Sequence, residues 1–194
     1  RYIYHYNAED LLVTQTYEEY GNGVWMYESQ VQYTYFPNST LVESESTHVW
    51  DFVNNVWLET GRELFSYYPN EKLFQTTFGH WNGVSWENSS RTSLSYDSEG
   101  YQTETLSEKW EGNTWANQSR TSFSYDVNYN PLAVLSEQWD GGNWVNSFRQ
   151  LNEYDAESDI LNLRMDLWDG AAWGLLNYRR FHYAEFVKTN TVET

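Results

Sequence analysis

Cysteine is absent from this 194-residue chain, which excludes a disulfide framework and any thiolate metal site. Basic residues are scarce: 11 Lys and Arg stand against 28 Asp and Glu, for a formal charge of -17. Binding to DNA or RNA relies on Lys and Arg neutralising phosphates, so this balance argues against a nucleic-acid partner. The same field repels anionic membrane surfaces and strongly sulfated polymers, except where a local row of Arg or bound cations overcomes it. No stretch approaches the roughly 20 apolar residues a membrane helix needs, so membrane insertion is not expected. The opening Arg1-Tyr2-Ile3-Tyr4-His5-Tyr6 lacks a signal peptide's apolar segment, as expected of a mature protein or a cut fragment. Aliphatic residues are also few. In their place stand 11 Trp, 17 Tyr and 9 Phe, so aromatic rings must supply most of whatever is buried.

The aromatics are periodic. Trp81, Trp110, Trp139 and Trp168 are 29 residues apart, and five residues after each stands Trp86, Trp115, Trp144 or Trp173. Five further on come Arg91, Arg120 and Arg149, then Tyr96, Tyr125 and Tyr154, each Tyr followed by Asp. Upstream, Trp50 and Trp57 keep the frame with two extra residues between them, followed by Arg62 and Tyr67; before those, Tyr20 replaces the first Trp and Trp25, Gln30 and Tyr35 follow in register. Arg1 and Tyr6 preserve the spacing of five, and downstream Tyr178 and Tyr183 hold the Arg and Tyr places. All 11 Trp residues fall on the two Trp columns. The chain is thus read as a single β-repeat domain, 1–194, with units near 1–19, 20–49, 50–80, 81–109, 110–138, 139–167 and 168–194.

Between paired Trp residues lie Asn82-Gly83-Val84-Ser85, Glu111-Gly112-Asn113-Thr114, Asp140-Gly141-Gly142-Asn143 and Asp169-Gly170-Ala171-Ala172. Four-residue loops of this chemistry close β-hairpins and set the flanking Trp pair across from each other. The stretches after Tyr, such as Asp97-Ser98-Glu99-Gly100, read as the second turn, with Asp bonding the backbone two residues on. Alternation along Trp115 to Asp126 places Trp115, Asn117, Ser119, Thr121, Phe123 and Tyr125 on one face and Ala116, Gln118, Arg120, Ser122 and Ser124 on the other. The predicted fold is all-β: an antiparallel β-meander of about six two-strand repeats, as a curled sheet, a barrel or a shell-like repeat.

In Tyr96-Asp97-Ser98-Glu99-Gly100, Tyr125-Asp126 and Tyr154-Asp155 the chain resembles the YD repeats of Rhs and teneurin proteins, β-hairpin strips that coil into a shell on large secreted or surface proteins. The Trp pair with its Gly-rich hairpin departs from that pattern. W-x-G-x-x-W followed by Arg and Tyr-Asp is also similar to repeat regions of secreted proteins from gliding, polysaccharide-degrading Bacteroidetes, a resemblance that implies a multidomain exported protein, secreted or at the cell surface, and contacts with other domains of that parent. Choline-binding and glucan-binding cell-wall repeats, with a shorter period, are an analogy only.

No catalytic motif is present. His5, His48, His80 and His182 lack ligand-pair spacing, and the carboxylates Glu104, Glu108 and Glu137 recur with the repeat, as a solvated or Arg-paired face does and a catalytic pair does not. No enzyme activity and no cofactor are expected. Asp97, Asp126 and Asp155 read as turn formers, with calcium ligation the less favoured alternative. Trp pairs recurring at roughly 9.5 Å, twice the strand spacing, suit stacking on an extended polysaccharide. The expected function is therefore a non-catalytic carbohydrate-binding or adhesion module. A polysaccharide or cell-surface glycan would be held by Trp81, Trp86, Trp110, Trp115, Trp139 and Trp144, with Arg91, Arg120 and Arg149 as polar partners. The alternative is a structural repeat or spacer of a larger exported protein, which expects every Trp to be buried.

Overall fold

A computed structural model describes residues 1–181, and all regular structure in it is β. The strands are β1 (Tyr2–Tyr6), β2 (Leu12–Gly21), β3 (Val24–Tyr35), β4 (Val42–Asp51), β5 (Val56–Tyr67), β6 (Leu73–Trp81), β7 (Trp86–Tyr96), β8 (Gln102–Glu111), β9 (Thr114–Tyr125), β10 (Pro131–Trp139), β11 (Trp144–Tyr154), β12 (Ile160–Trp168) and β13 (Trp173–Arg180). They form one antiparallel meander in sequence order, 13 strands long. β1 and β13 each have a single neighbour, so the sheet does not close into a barrel. By compactness the chain divides into a unit from Arg1 to Ser119 and a second from Arg120 onward. Tyr183 and His182 lie outside the described residues.

Among the described residues no apolar side chain is buried. The buried side chains are polar instead: Thr16, Glu18, His48, Glu108, Glu137, Asn152 and Asp166. An ordinary domain inverts this pattern, because a sheet normally hides one face against a second layer. Aromatic rings lying along the sheet replace that layer, each covering the polar groups of its neighbours.

Side-chain acceptors close many of the turns at both ends of the repeats. Asp140 Oδ1 accepts the N–H groups of Gly142 and Asn143 (2.8 and 2.7 Å), and Asp169 Oδ1 those of Ala171 and Ala172 (2.8 and 2.7 Å). Asn82 Oδ1 does the same for Val84 and Ser85 (2.8 and 2.9 Å). Two hairpins are tighter than the four-residue loop expected from sequence: Asn22-Gly23 and Gly112-Asn113 turn with only two residues between strands, all four at positive φ (52°, 84°, 54° and 70°), as a primed turn requires. At the other end Asp97 Oδ1 accepts from Glu99 and Tyr101, Asp126 Oδ1 from Asn128 and Asn130, and Asp155 Oδ1 from Glu157 and Asp159. These aspartates therefore act as turn formers.

The turn bonds have a pH consequence. Backbone N–H donors hold the Asp140 and Asp169 carboxyls below the ordinary aspartate value of 3.8. A carboxyl whose pKa is depressed by folding stabilises the fold above its unfolded pKa, and that contribution is lost as pH falls through the folded value. Melting temperature is expected to decline as pH drops from about 4 downward. The double variant Asp140→Asn, Asp169→Asn should keep its stability near pH 7, since Asn82 makes the same turn, and should decline less steeply in acid. An unchanged acid slope, measured by thermal denaturation across pH, would exclude these turns as the cause.

Candidate functional site

The expected alternation breaks at one recurring place. In β6/β7, Phe78 pairs with Ser90 and Gly79 with Asn88, which leaves Ser89 as an extra residue in β7. The same bulge, three residues after the second Trp, falls at Glu28 in β3, Thr60 in β5, Ser147 in β11 and Leu176 in β13. Residues five apart face opposite ways in a regular strand. The extra residue restores them to one face, so Arg62 joins Trp57, Arg91 joins Trp86 and Arg149 joins Trp144. This overturns the placement of Arg and Trp on opposite faces that strict alternation implies.

The shared face carries a ladder. In the first unit Arg91 stands directly across from Glu108 and makes a two-pronged ion pair with it, Nη2 to Oε1 at 2.9 Å. Its guanidinium also lies 4.7 Å from the ring centre of Trp115, which meets Trp110 edge to face at 4.9 Å. In the second unit Arg120 binds Glu137 (Nε to Oε2, 2.5 Å) and covers Trp144 (4.7 Å), which packs on Trp139 at 5.2 Å. Arg149 binds Asp166 (2.7 Å) and covers Trp173 (4.5 Å). Arg1 repeats the motif with Glu18 (2.6 Å) and Trp25 (4.7 Å).

Burial alone would push the Asp166 carboxyl up, but hydrogen bonds from Arg149 and Arg164 and their charges outweigh it, so its pKa lies below the ordinary value. The acid column, two residues before the first aromatic of four hairpins (Glu18, Glu108, Glu137 and Asp166), therefore completes the site; the same place is His48 before Trp50 and Gly79 before Trp81. Its members recur at the period of 29 in Glu108, Glu137 and Asp166, so the signal was present in the sequence. What the spacing could not convey is that these carboxylates lie beneath the rings.

Each predicted residue is thus accounted for. Trp81 and Trp86 pair at 5.8 Å. Arg91, Arg120 and Arg149 are each paired with an internal acid and stacked on a ring. The Trp residues are half-buried, except that Trp25 is 45% and Trp81 43% exposed. The Tyr column lies on the opposite face from Arg: the hydroxyls of Tyr35, Tyr67, Tyr96 and Tyr154 donate to the carbonyls of Leu12, Val42, Leu73 and Pro131 at 2.8 to 3.1 Å. Each clips the end of its strand to the start of the preceding one. Of the histidines, His48 is buried with its Nδ1 lacking a hydrogen-bond partner, and His80 Nε2 is 4.0 Å from Glu87. Among the described residues no three His, Asp or Glu side chains gather to hold a metal.

In the first unit the ring packing changes from one hairpin to the next, and a hollow opens. Tyr27 packs on Trp50 and Trp57 at 5.0 and 5.4 Å, filling the space between its hairpin and the next. The corresponding position in β5 is Glu59, which leaves an open hollow of about 510 Å³ between Trp57 and the pair Trp81 and Trp86, edged by Leu58, Glu59 and Thr60.

A protein of unknown function from Bacteroides fragilis, solved as a crystal structure, has the same kind of fold. At 18% identity it covers 66% of this chain and 94% of its own, with a TM-score of 0.50. A DUF3836 family protein from Parabacteroides distasonis aligns at 22% identity over 46% of this chain and 88% of its own (TM-score 0.33), and the TcdB2-TccC3 structure at 10% over 86% of this chain and 10% of its own (TM-score 0.41). No family model and no curated protein sequence matches. The likeness extends to an all-β repeat fold found in Bacteroides.

Proposed function

We propose that the chain is a non-catalytic glycan-binding or adhesion module of a secreted or surface protein, in which indole rings stack on sugar rings. The observation that carries this reading is the hollow between Trp57, Trp81 and Trp86. It has indole walls, a carboxylate and a hydroxyl at its edge, and in Trp81 a ring 43% exposed. Sugars present apolar C–H faces bounded by hydroxyls, and a site of this kind answers both. The cysteine-free, acidic composition and the resemblance to exported repeat proteins fit the proposed location.

Trp81 offers the cleanest test, because no Arg lies over it; Arg62 covers Trp86 instead. Trp81→Ala is expected to weaken oligosaccharide binding at least about tenfold, roughly 1.4 kcal/mol, with little loss of melting temperature. Binding is read by titration calorimetry on oligosaccharides selected from a glycan array. Retention of no neutral or uronic polymer by the native protein would remove the proposal, as would equal affinity of the variant.

The second reading, a structural spacer with no ligand, draws on a different observation. Arg91, Arg120 and Arg149 are each paired with an acid and stacked on a ring, an arrangement sufficient to explain the repeat without any ligand.

A further inference from the structure

Because the ladder repeats, a missing rung is legible. The position that holds Glu18, Glu108, Glu137 and Asp166 in other hairpins is Gly79 in β6. Arg62 stands directly across from it in register and stacks over Trp86 at 4.6 Å, as the other arginines do over their rings. Lacking a carboxylate ahead of it, Arg62 turns back to Glu59 on its own strand, with Nε and Nη2 at 3.0 and 2.8 Å from Oε1 and Nη2 at 3.1 Å from Oε2. That pair is half-exposed, with Arg62 and Glu59 side chains 39% and 27% accessible, whereas Glu108, its counterpart in the next hairpin, is 9% accessible. Where the repeated acid would lie there is a hollow of about 80 Å³ whose lining includes Arg62, Thr77, Gly79, Trp86, Glu87 and Asn88. Trp86 is shared between this hollow and the larger indole-walled one.

We propose that the space over Gly79 receives the carboxylate of a uronic acid residue in a polysaccharide, so that the ligand supplies the group other repeats supply from their own chain. The proposal rests on the glycan reading above and names its substrate class. An Arg fork binds a carboxylate through two parallel charge-assisted hydrogen bonds, and Arg62 is already held in the right plane by Trp86. The exchange is near-symmetric: the sugar carboxylate takes the guanidinium from Glu59, which faces water when released. Thr77 and Asn88 bring a hydroxyl and an amide to the walls for sugar hydroxyls. One cation at the site and a chain charge of -17 select for a ligand with isolated carboxylates among neutral sugars, and against densely anionic polymers. The indole walls next to Arg62 favour a pyranose ring over an acidic peptide.

Gly79→Glu installs the missing rung. The backbone there is not at positive φ, and a Cβ would meet the Glu87 carbonyl oxygen at 3.1 Å, a contact relieved by a shift of a few tenths of an ångström. Arg62→Gln is the second variant, patterned on Gln30, which holds the same place before Trp57. The probes are a xylo-oligosaccharide carrying one glucuronic acid branch, its carboxyl-reduced counterpart, and a peptide carrying a single Glu, all titrated at one ionic strength. The native protein is expected to bind the uronic form at least about tenfold more tightly than the reduced form. Both variants should lose that preference, bringing the uronic and reduced forms to within about twofold of each other. If the two sugars bind alike, or the preference survives both substitutions, the uronate proposal fails and the glycan reading stands. Peptide binding equal to that of the uronic sugar overturns the choice of ligand, and binding of none of the probes removes both.

Discussion

Trp144→Ala is expected to destabilise the protein by about 2–4 kcal/mol, somewhat below the 3–5 kcal/mol typical of a fully buried Trp. Trp144 opens β11, meets Trp139 edge to face at 5.2 Å and is covered by the Arg120 guanidinium at 4.7 Å. Its removal takes away three things together: the ring pair, the cation–π contact, and the cover that keeps water from the Arg120–Glu137 pair. A conventional core relaxes into such a hole. Here no buried apolar side chain is present among the described residues to do so. Urea denaturation followed by circular dichroism reads the loss, and Trp144→Phe should recover about half of it. A loss under about 0.5 kcal/mol would mean the ring is ornamental to the fold.

The repeat, the hairpins and the all-β class were legible because Trp, Arg and Tyr recur at one spacing and the turns carry Gly, Asn and Asp at fixed offsets. The tight turn at Asn22-Gly23 carries a strong short-range hairpin signal, although four-residue loops were expected of hairpins such as the one at Glu111-Gly112-Asn113-Thr114. The bulge was not. Its residues, Glu28, Thr60, Ser89, Ser147 and Leu176, share no chemistry, because what defines a bulge is the hydrogen-bond register of two strands and not a side chain. Missing it put Arg on the face opposite Trp, although a ladder of cross-strand Arg–acid pairs was among the readings the Arg column allowed. The acid column could be read as Arg-paired from its period, but its depth depends on rings arriving from neighbouring strands. The hollow by Trp57 depends on a difference between repeats, Tyr27 in one and Glu59 in the next, which gains meaning only once the two are placed side by side.

The second large effect concerns the acid itself. Glu137→Ala takes away the acid held by Arg120, whose side chain is only 33% exposed and stacked on Trp144, and should cost about 2–4 kcal/mol. Glu137→Gln should cost less, because the amide oxygen still accepts from Nε. Part of the loss in Glu137→Ala comes from the partly buried Arg120 losing this acceptor, so removing Arg120 as well should recover some of it. That recovery separates a coupled ladder from two residues that merely lie close.

With no buried apolar side chain among the described residues, Arg–acid pairs locked against indole rings keep the sheet together. The direct test is a double-mutant cycle on Arg120→Met and Glu137→Leu, with unfolding free energies of the native protein, both single variants and the double variant measured in urea. A coupling of about 1.5 kcal/mol or more is predicted. Additive losses, with coupling indistinguishable from zero, would contradict it.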